Sequence, residues 1–494
     1  MRIIYSIACL LLTLPALAQN RSNVWELSYS TDLAYPNSEM IFSDNTVDTQ
    51  SVSRIMSIFD TNASICDTYG NLLFYTNGLT VSNRNHDTLQ NAVNFNPGYA
   101  TSFYEPYGMG ISQGALIIPQ PESDHHFYIF YVTAEPIFAN NISDTNPLYL
   151  SYSVIDMNLD NGLGGIISNK KNLHAINDTL VLGRLTACKH ANGRDWWVIT
   201  HEYYTDVYYK LLITPEGIEG PFSQQIGSQL LWHDVFGQAV FSPDGSKFAM
   251  MNASDTLDFM EFNRCTGAFF NAQSFKLPDS VGTYGCSFSP NSRFLYASSK
   301  FNLYQYDTWS LSMVDDVIHI AEWDSFYDGM VPVLFFMHQL APDNKIYIGP
   351  FNGALYINVI NKPDSLGLAC NFNPHSFVLP QYNNNVPNFP NYDLSALDNS
   401  LCDTLYLNAS EFKVAPSFDL FPNPATDYFN IVYEVDKETN GTITDALGIE
   451  VKRFTLYPWF KNRIVYVDDL PAGVYLLTLS SQSRKQTMKL IVAK

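Results

Sequence analysis

Short runs of alternating apolar and polar residues, separated by turn residues, recur through most of the chain. The clearest are FSPDGSKFAMMN from Phe241, FSPNSRFLYASS from Phe288 and LAPDNKIYIGPF from Leu340. In each, a proline ends one run, Asp or Asn with a neighbouring turn residue follows, and an aromatic-rich run returns. The pattern predicts a β-hairpin in each of the three places.

Looser copies of this unit raise the number of predicted hairpins to six. They are DTYGNLLFYTNG from Asp67, PESDHHFYIFYV from Pro121 and HANGRDWWVITH from His190. The turns lie 47 to 69 residues apart, and runs such as LYLSYSVIDM and NLYQYDTWSL supply further strands between them. Four strands about every 50 residues are typical of propeller blades. Such regular repetition disfavours the rival interpretation, a pair of β-sandwich domains.

The repeats therefore predict an all-β chain with a six- or seven-bladed β-propeller over residues 19–380. NVWELSYS from Asn23 precedes the first full unit, and we expect it to supply a strand that closes the ring with the last blade and protects the sheet edges. Residues 381–416, rich in Asn and Pro, are predicted to form a packed lid or linker. Residues 417–494 contain about five to seven short strands, which favour a small Ig-like β-sandwich.

The start of the chain has the pattern of a signal peptide. Met1 and Arg2 precede an apolar run from Ile3 to Leu14, and an A-x-A site ends at Ala18. No later segment approaches the ~18 consecutive apolar residues of a membrane span. We therefore expect a leader over residues 1–18 and a soluble mature chain, exported through the periplasm, with no transmembrane segment.

Composition excludes one class of partner. The chain has 48 acidic and 27 basic residues, and its formal net charge is −21. Because no basic stripe is visible, nucleic acid is not an expected partner. The 31 Tyr, 33 Phe and 7 Trp suit a protein built from many short strands.

The cysteines that follow the leader are even in number, which permits disulfides in an exported protein. They are Cys66, Cys188, Cys265, Cys286, Cys370 and Cys402. The predicted pair is Cys370 with Cys402, because both lie in the loop-rich stretch after the last repeat and a cross-link would tie that stretch down. The other pairings stay open. No CxxC or Cys/His cluster has zinc spacing, so neither a metal nor a cofactor is predicted.

Four residues near strands that could face a central channel are the candidates for catalysis. They are His190, His233, His338 and Trp196. When the hairpins are aligned, His190 and His338 differ by about three strand positions, or ~10 Å, which argues against a shared metal site. The chain has no GxSxG, P-loop, HExxH or strand-following GxGxxG motif. Catalysis is therefore uncertain, and the balance is against it.

The tail carries the motifs of an export signal. They are FDLFPNPATDYFNI from Phe418, TDALGIEVKRF from Thr444, LPAGVYLLTL from Leu470 and MKLIVAK from Met488. The series resembles the type A C-terminal sorting domain of the type IX secretion system of Bacteroidota. The resemblance implies recognition by that machinery, removal of the tail outside the cell, and release or attachment to outer-membrane lipopolysaccharide. The residues it implies for shaping the recognised domain are Pro422, Asn423, Pro424, Gly473 and Tyr475.

The repeat region resembles uncharacterised exported propeller proteins, WD40-like, of the same bacteria. The residues that carry this resemblance include NASICDTYGNLLFYTNG from Asn62, KHANGRDWWVITH from Lys189, FNRCTG from Phe262 and VPNFPNYDL from Val386. The resemblance implies a lineage and a fold. It implies no reaction, because fold alone does not determine function.

Two functions of different class follow from these patterns. The first is a secreted or cell-surface module that binds protein or glycan, since the aromatic-rich repeat domain lacks a catalytic motif. The alternative is an extracellular hydrolase or lyase with its site in the propeller channel.

Overall fold

The chain folds into two compact units, which divide between Leu405 and Tyr406. The computed structural model describes residues 20–30, 36–43, 46–139, 142–230, 237–252, 256–279, 282–397, 400, 402, 418–433, 435, 438–446, 448–457, 462–481 and 484–494. The predicted leader lies outside these described residues. So does most of the predicted lid or linker beyond residue 397.

The first unit consists almost entirely of β-strands. They are β1 Val24–Leu27, β2 Asn37–Ser43, β3 Thr46–Val52, β4 Ala63–Cys66, β5 Leu72–Thr76, β6 Val81–Asn83, β7 Ala115–Pro119, β8 His126–Tyr131, β9 Glu135–Ala139, β10 Ile142–Asn146, β11 Tyr149–Asp156, β12 Gly165–Ile166, β13 Leu173–Asn177, β14 Thr186–Lys189, β15 Trp196–His201, β16 Val207–Thr214, β17 Gly217–Gln225, β18 Ala239–Phe241, β19 Lys247–Met251, β20 Thr256–Asn263, β21 Ala268–Lys276, β22 Thr283–Phe288, β23 Phe294–Ser299, β24 Asn302–Asp307, β25 Ile318–Glu322, β26 Tyr327–Asp328, β27 Val331–Pro332, β28 Phe335–Leu340, β29 Ile346–Pro350, β30 Ala354–Ile360 and β31 Phe372–Asn383. The helical elements are α1 Tyr99–Tyr104 and the 3-10 turns Asp160–Gly162, Ser168–Lys170 and Gly367–Cys370.

Within the described residues these strands form seven successive antiparallel sheets. They are sheet 1 (β1–β3), sheet 2 (β4–β6), sheet 3 (β7, β8 and β11 with β12 and β13), sheet 4 (β14–β17), sheet 5 (β18–β21), sheet 6 (β22–β25) and sheet 7 (β28–β31). Short ribbons, β9 with β10 and β26 with β27, lie between them along the chain.

Hydrophobic cores join six of the seven pairs of neighbouring sheets and a hydrogen bond links the seventh pair, which makes the first unit a β-propeller. Sheets 2, 3 and 4 share one core, and separate cores join sheet 4 to 5, sheet 5 to 6 and sheet 6 to 7. A further core joins sheet 7 back to sheet 1. Between sheets 1 and 2, the hydroxyl of Ser64 donates a hydrogen bond to the carbonyl of Val24. The prediction of an all-β propeller is confirmed, and the described residues of this unit form seven main sheets.

The predicted hairpins owe their turns to local side-chain chemistry. In sheet 5 the carboxylate of Asp244 accepts a hydrogen bond from the backbone N–H of Ser246 at 2.9 Å, and Gly245 has φ 70°. In sheet 6 the side-chain oxygen of Asn291 accepts from the N–H of Arg293 at 3.0 Å, so the same turn forms there. Such Asx turns let Asp and Asn reverse a chain without help from distant residues. We call the side of the propeller that carries these turns the hairpin face.

The expected role of NVWELSYS was wrong. Its strand β1 pairs with β2 inside sheet 1, and sheet 7 is complete with its own four strands. The sequence analysis did not predict sheet 1 as a separate sheet, because its strand β3 is a largely exposed polar run, TVDTQSV. The ring closes instead by packing, since the rings of Trp25 and Phe42 lie 5.6 and 5.8 Å from that of Tyr347 in sheet 7.

After β31 the chain turns inward to the propeller axis. We call residues 384–394 the axial segment. Its residues Val386 and Phe389 pack in the core shared by sheets 1 and 7, and Tyr392 packs in the core of sheets 2 to 4. The Asn/Pro-rich stretch is therefore, over its described part, an internal element of the first unit.

The second unit contains two antiparallel sheets around one apolar core. Its strands are β32 Phe418–Phe421, β33 Tyr428–Tyr433, β34 Thr439–Thr444, β35 Glu450–Leu456, β36 Asn462–Tyr466, β37 Gly473–Ser481 and β38 Arg484–Val492. One sheet has the order β32-β33-β36 and the other β35-β34-β37-β38. Two sheets sharing one core form the predicted small sandwich.

Among the described residues, no helix has the length and apolar character needed to cross a bilayer.

Candidate functional site

A cavity of about 310 Å³ opens at the propeller axis on the hairpin face. Its wall comes from the first strands of sheets 4 to 7 and the turns that follow them, and the axial segment forms the remaining side. The wall residues used below are Gln113, His338, Gln339, Asn344, Asn388, Asn391 and Asp393. This volume is at the lower end of the range for small-molecule sites, about 300–1,000 Å³.

Near the propeller axis, buried amide side chains link the first strands of different sheets by hydrogen bonds. The amide of Gln113 donates to the carbonyl of Ala239 at 2.9 Å, and its oxygen accepts from the N–H of the same residue at 2.8 Å. Gln238 repeats this arrangement two sheets further on, where its oxygen accepts from the N–H groups of Cys286 and His338. Glutamine side chains thus replace the backbone hydrogen bonds that diverging strands cannot make to each other.

The axial segment is held by the same kind of bond. The amide of Asn388 donates to the carbonyls of Ala115 and Leu185, at 2.9 and 2.8 Å, which joins sheets 3 and 4. The hydroxyl of Tyr392 donates to the carbonyl of Ile117 at 2.7 Å. These buried contacts fix the segment within the axis, so it narrows the channel from inside.

Asp60, which contacts the start of the axial segment, has a strongly raised pKa. The amide of Asn384 donates to the carboxyl group of Asp60, and the amide of Asn385 donates to the carbonyl of Asp60 at 2.9 Å. Burial raises the pKa of Asp60 to about 7, while the bond from Asn384 acts in the opposite direction. Asp60 therefore anchors the segment and changes its charge near neutral pH.

The mouth of the cavity is nearly uncharged. Gln339, Asn344 and Asn391 offer amide groups there, beside prolines from the successive turns. Asp393 supplies the only carboxylate among the cavity's described wall residues, and the cations of Lys189 and Arg21 interact with it electrostatically. Such a surface forms hydrogen bonds with neutral polar groups more readily than it binds ions.

His338 lies in the cavity wall but is not an effective acid or base. Its ring is buried, and its Nε2 is 2.9 Å from the hydroxyl of Ser298. Burial lowers its pKa to about 3, so the imidazole is neutral under ordinary conditions. No carboxylate bonds to it in the described part of the chain.

The structure does not bring His190 or Trp196 to the cavity. His190 lies in the turn between β14 and β15, where its Nδ1 accepts from the N–H of Asn192 and its Nε2 donates to the carbonyl of Cys265. Trp196 is buried, and its ring lies 6.0 Å from that of Tyr392. His233 lies outside the described residues. His190 and Trp196 therefore have packing and turn-forming contacts.

The predicted disulfide was wrong in one partner. Cys402 is bonded to Cys265, with Cα atoms 5.8 Å apart, whereas Cys370 is a buried free thiol. The chain after the axial segment runs past the turns of sheets 4 and 5, where the N–H of Leu397 donates to the carbonyl of Ala191 at 2.8 Å. This path leads Cys402 to the β20–β21 turn and away from sheet 7.

Sequence reasoning missed a buried charge cluster between sheets 1 and 2. Arg54 donates a hydrogen bond to the carboxylate of Glu26, and both side chains are fully buried. Burial raises the pKa of Glu26, and the charge of Arg54 opposes that rise. The available signal was the acidic residue within VWEL, because an ionisable side chain in a fully buried strand needs a partner.

The residues predicted to shape the tail fall in one region of the second unit. The amide of Asn423 donates to the carbonyl of Lys489, and its oxygen accepts from the N–H of Ile491, both at 2.8 Å. Pro422 and Pro424 flank Asn423 in this exposed segment. Gly473 begins β37, and the hydroxyl of Tyr475 donates to the carbonyl of Pro471 at 2.8 Å.

Comparison with known families identifies this unit. Residues 419–493 match the family described as Secretion system C-terminal sorting domain. The second unit is a sorting domain. It directs export by the type IX route to the cell surface or the medium, which confirms the predicted destination. The sorting domain covers the smaller part of the chain, so it assigns no activity to the propeller.

Comparisons of the whole chain leave that activity open. No curated protein matches the sequence. Solved structures that resemble the chain include a putative 6-phosphogluconolactonase from Bacteroides fragilis NCTC 9343, with 10% identity, 76% of this chain and 98% of the other covered, and TM-score 0.39. For the periplasmic gluconolactonase of Pseudomonas aeruginosa the values are 11%, 90%, 99% and 0.35.

A third similar structure is the beta-propeller domain of Cps50 (Swd1) from Myceliophteria thermophila, at 8% identity, 74% and 93% coverage and TM-score 0.31. With TM-scores this low, none of the three supports an inference about activity. The propeller assignment rests on the ring of sheets described above.

Proposed function

We propose that the first unit is a binding module, delivered outside the cell by the sorting domain, and that its axial cavity takes a neutral, hydroxyl-rich group such as the end of a glycan. The observation that carries this proposal is the chemistry of the cavity wall. Amides of Gln339, Asn344 and Asn391 stand beside prolines, and Asp393 is the single carboxylate among the described wall residues. Amide groups both donate and accept, as sugar hydroxyls do.

Partial closure of the axis supports binding over turnover. The axial segment is bonded to sheets 3 and 4 through Asn388, so the cavity is a shallow pocket at one face. A pocket of about 310 Å³ accommodates a small ligand or the terminus of a larger one.

The alternative, a hydrolase or lyase in the same cavity, lacks a pair of suitably placed acid and base groups. Such reactions need two titrating groups on opposite sides of the substrate. Of the described wall residues only Asp393 carries a carboxylate and only His338 an imidazole, and the pKa of that imidazole is about 3. The wall therefore favours the binding function.

Glycan-array binding by the untagged full chain tests the proposal. We expect Gln339→Ala and Asn391→Ala each to weaken binding roughly threefold to tenfold, because each removes about one hydrogen bond. Asn85→Ala is the matched control, since Asn85 is exposed and does not line the cavity. Equal binding by all three variants would contradict the cavity assignment, as would a ligand found only among proteins.

Release of a product from a bound glycan would instead support the enzyme alternative. The decisive variant for that outcome is Asp393→Asn, because turnover that survives it has no carboxylate in the described wall of the cavity to depend on.

A further inference from the structure

Two adjacent histidines and an aspartate meet where the inner strands β8 and β11 of sheet 3 end. His126 begins β8 and lies directly opposite Asp156, the last residue of β11, in the antiparallel ladder. Directly opposed residues place their Cβ atoms about 5 Å apart. His125 is in the preceding turn, outside the alternation of the strand, so its ring turns to the same side and lies 4.2 Å from that of His126.

Each imidazole is oriented by a hydrogen bond at one nitrogen. The Nδ1 of His125 is 2.7 Å from the carboxylate of Asp124, and the Nδ1 of His126 is 3.2 Å from the hydroxyl of Ser123. The carboxylate of Asp124 can only accept, so it favours the tautomer of His125 that carries its proton on Nδ1 and its lone pair on Nε2. The hydroxyl of Ser123 orients the ring of His126 and is compatible with the same tautomer. Among the described residues, neither Nε2 atom has a hydrogen-bond partner.

Asp156 likewise uses one of its two carboxylate oxygens in a local hydrogen bond. Its Oδ1 accepts a hydrogen bond from the backbone N–H of Asn158 at 2.8 Å, which leaves Oδ2 pointing toward the histidines. That oxygen lies 3.6 Å from Nε2 of His126. Each of the three side chains thus uses one polar atom in a local hydrogen bond and leaves a second polar atom facing the space between them.

The spacing suits one small cation. Candidate ligand atoms of His125, His126 and Asp156 all lie within 4.8 Å of one another. Two ligands of one tetrahedral zinc ion, at about 2.0–2.1 Å from the metal, are about 3.3 Å apart. The side chains are 39%, 27% and 19% exposed, so rotation about their side-chain torsions can bring the three ligand atoms to this spacing without disturbing the core.

We propose that His125, His126 and Asp156 form a binding site for a divalent transition-metal ion of the Zn²⁺ class, with a fourth position open to water or an external ligand. Imidazole nitrogen with a carboxylate oxygen selects Zn²⁺, Ni²⁺ or Cu²⁺ over Ca²⁺ and Mg²⁺, which prefer oxygen ligands alone. The site lies outside the axial cavity and is independent of the proposed binding function.

Zn²⁺ titration of the untagged full chain by calorimetry tests the site. We expect binding of about one equivalent. His125→Ala and His126→Ala should each weaken it by about tenfold or more. His319→Ala is the matched control and should bind like the original chain, because His319 is exposed and contacts Asn302, not a carboxylate cluster. Equal affinity in all four proteins, or no binding at all, would overturn the proposal.

A second measurement separates a built site from chance binding by surface histidines. Asp124→Asn keeps all three ligands but weakens the bond that orients His125, so we expect affinity to fall by about tenfold. The Cu²⁺-loaded chain should give an electron paramagnetic resonance spectrum with two nitrogen ligands, and His126→Ala should reduce that number to one. Unchanged affinity in Asp124→Asn, or an unchanged spectrum in His126→Ala, would contradict the assignment.

Discussion

The propeller and the sorting domain bury different kinds of side chain. The propeller buries ionisable and amide groups near its axis, among them Asp60, His338 and Asn388, and an ion pair between Glu26 and Arg54. Among the described residues of the sorting domain, Thr439 is the only polar side chain in the buried set. Sixteen apolar residues form its single core.

This difference separates two ways of specifying a structure. A buried amide costs free energy unless its partner is in the right place, so the axis of the propeller tolerates few arrangements. An apolar core requires only suitable volume and pattern. The sorting domain can therefore be recognised from a short series of motifs. The propeller is distinguished by buried polar contacts near its axis, which such motifs do not reveal.

The largest expected effect is on the apolar side of the comparison. Leu477→Ala empties a fully buried position of the sorting domain and should cost about 2–5 kcal/mol, enough to unfold a small domain. We expect surface delivery to be lost while the thermal transition of the propeller stays unchanged. Leu476→Ala is the matched control, because the neighbouring side chain is 45% exposed. Equal delivery of the two variants would refute the role given to this core.

The disulfide should come next in size. Cys402→Ser removes the link to Cys265 and should lower the propeller's free energy of unfolding by about 2–4 kcal/mol, measured by denaturant unfolding. Cys265→Ser should have the same effect, and the double variant no more than either single change. Additive losses, or a peptide map joining Cys370 to Cys402, would show that the pairing is wrong.

A polar contact at the axis should have a smaller effect. Asn388→Ala leaves the carbonyls of Ala115 and Leu185 without their donor, and we expect a loss of about 1–3 kcal/mol in the unfolding free energy of the propeller. Asn391→Ala should cost less than about 1 kcal/mol, because its side chain is exposed and water replaces its bonds to the carbonyl of Pro243 and the N–H of Asp393. Comparable losses would remove the distinction between axis and mouth.

Near neutral pH the smallest expected effect is that of a buried titrating group, which shows itself mainly as a change in pH dependence. Folding keeps His338 neutral down to about pH 3, whereas the unfolded chain protonates it near its ordinary pKa of 6.5. Stability should therefore fall as the pH drops from about 6.5 toward 3, by at most about 1.4 kcal/mol per unit. His338→Gln should flatten this part of the propeller's curve, and His319→Gln, at an exposed position, should not.

Asp60 should make stability depend on pH in the opposite direction, which the same measurement would show. Its pKa is raised to about 7 from an ordinary 3.8, so the folded state holds the proton more tightly. Its contribution to stability should be lost as the pH rises from about 4 to 7, and Asp60→Asn should remove that slope. A variant curve that steepens in this window would contradict the burial of a protonated carboxyl group.

The hairpins could be predicted because their causes are local. Asp244 and Asn291 form their turns with residues two positions away, so a short stretch of sequence contains the whole explanation. The sorting domain could be predicted for a similar reason, since its motifs lie within one short tail. Local chemistry of this kind needs no knowledge of the rest of the fold.

The candidate site depends on partners that are distant in sequence. Asn388 contacts Ala115 and Leu185, which are more than 200 residues away. The Asn/Pro-rich stretch that contains it lacks the periodic apolar residues that would predict burial. Cys402 and Cys265 are separated by 137 positions. Neither segment contains a sequence pattern that indicates its distant partner. The disulfide pairing and the burial of the axial segment therefore could not be predicted.

The bond between Cys265 and Cys402 turns the last third of the propeller into a closed covalent loop. Sheets 6 and 7 and the axial segment lie within it. A protease that cuts one peptide bond anywhere inside this loop leaves two fragments still joined through sulfur. Outside the cell, such a nick releases nothing, and the pieces separate on a denaturing gel only after a reductant is added.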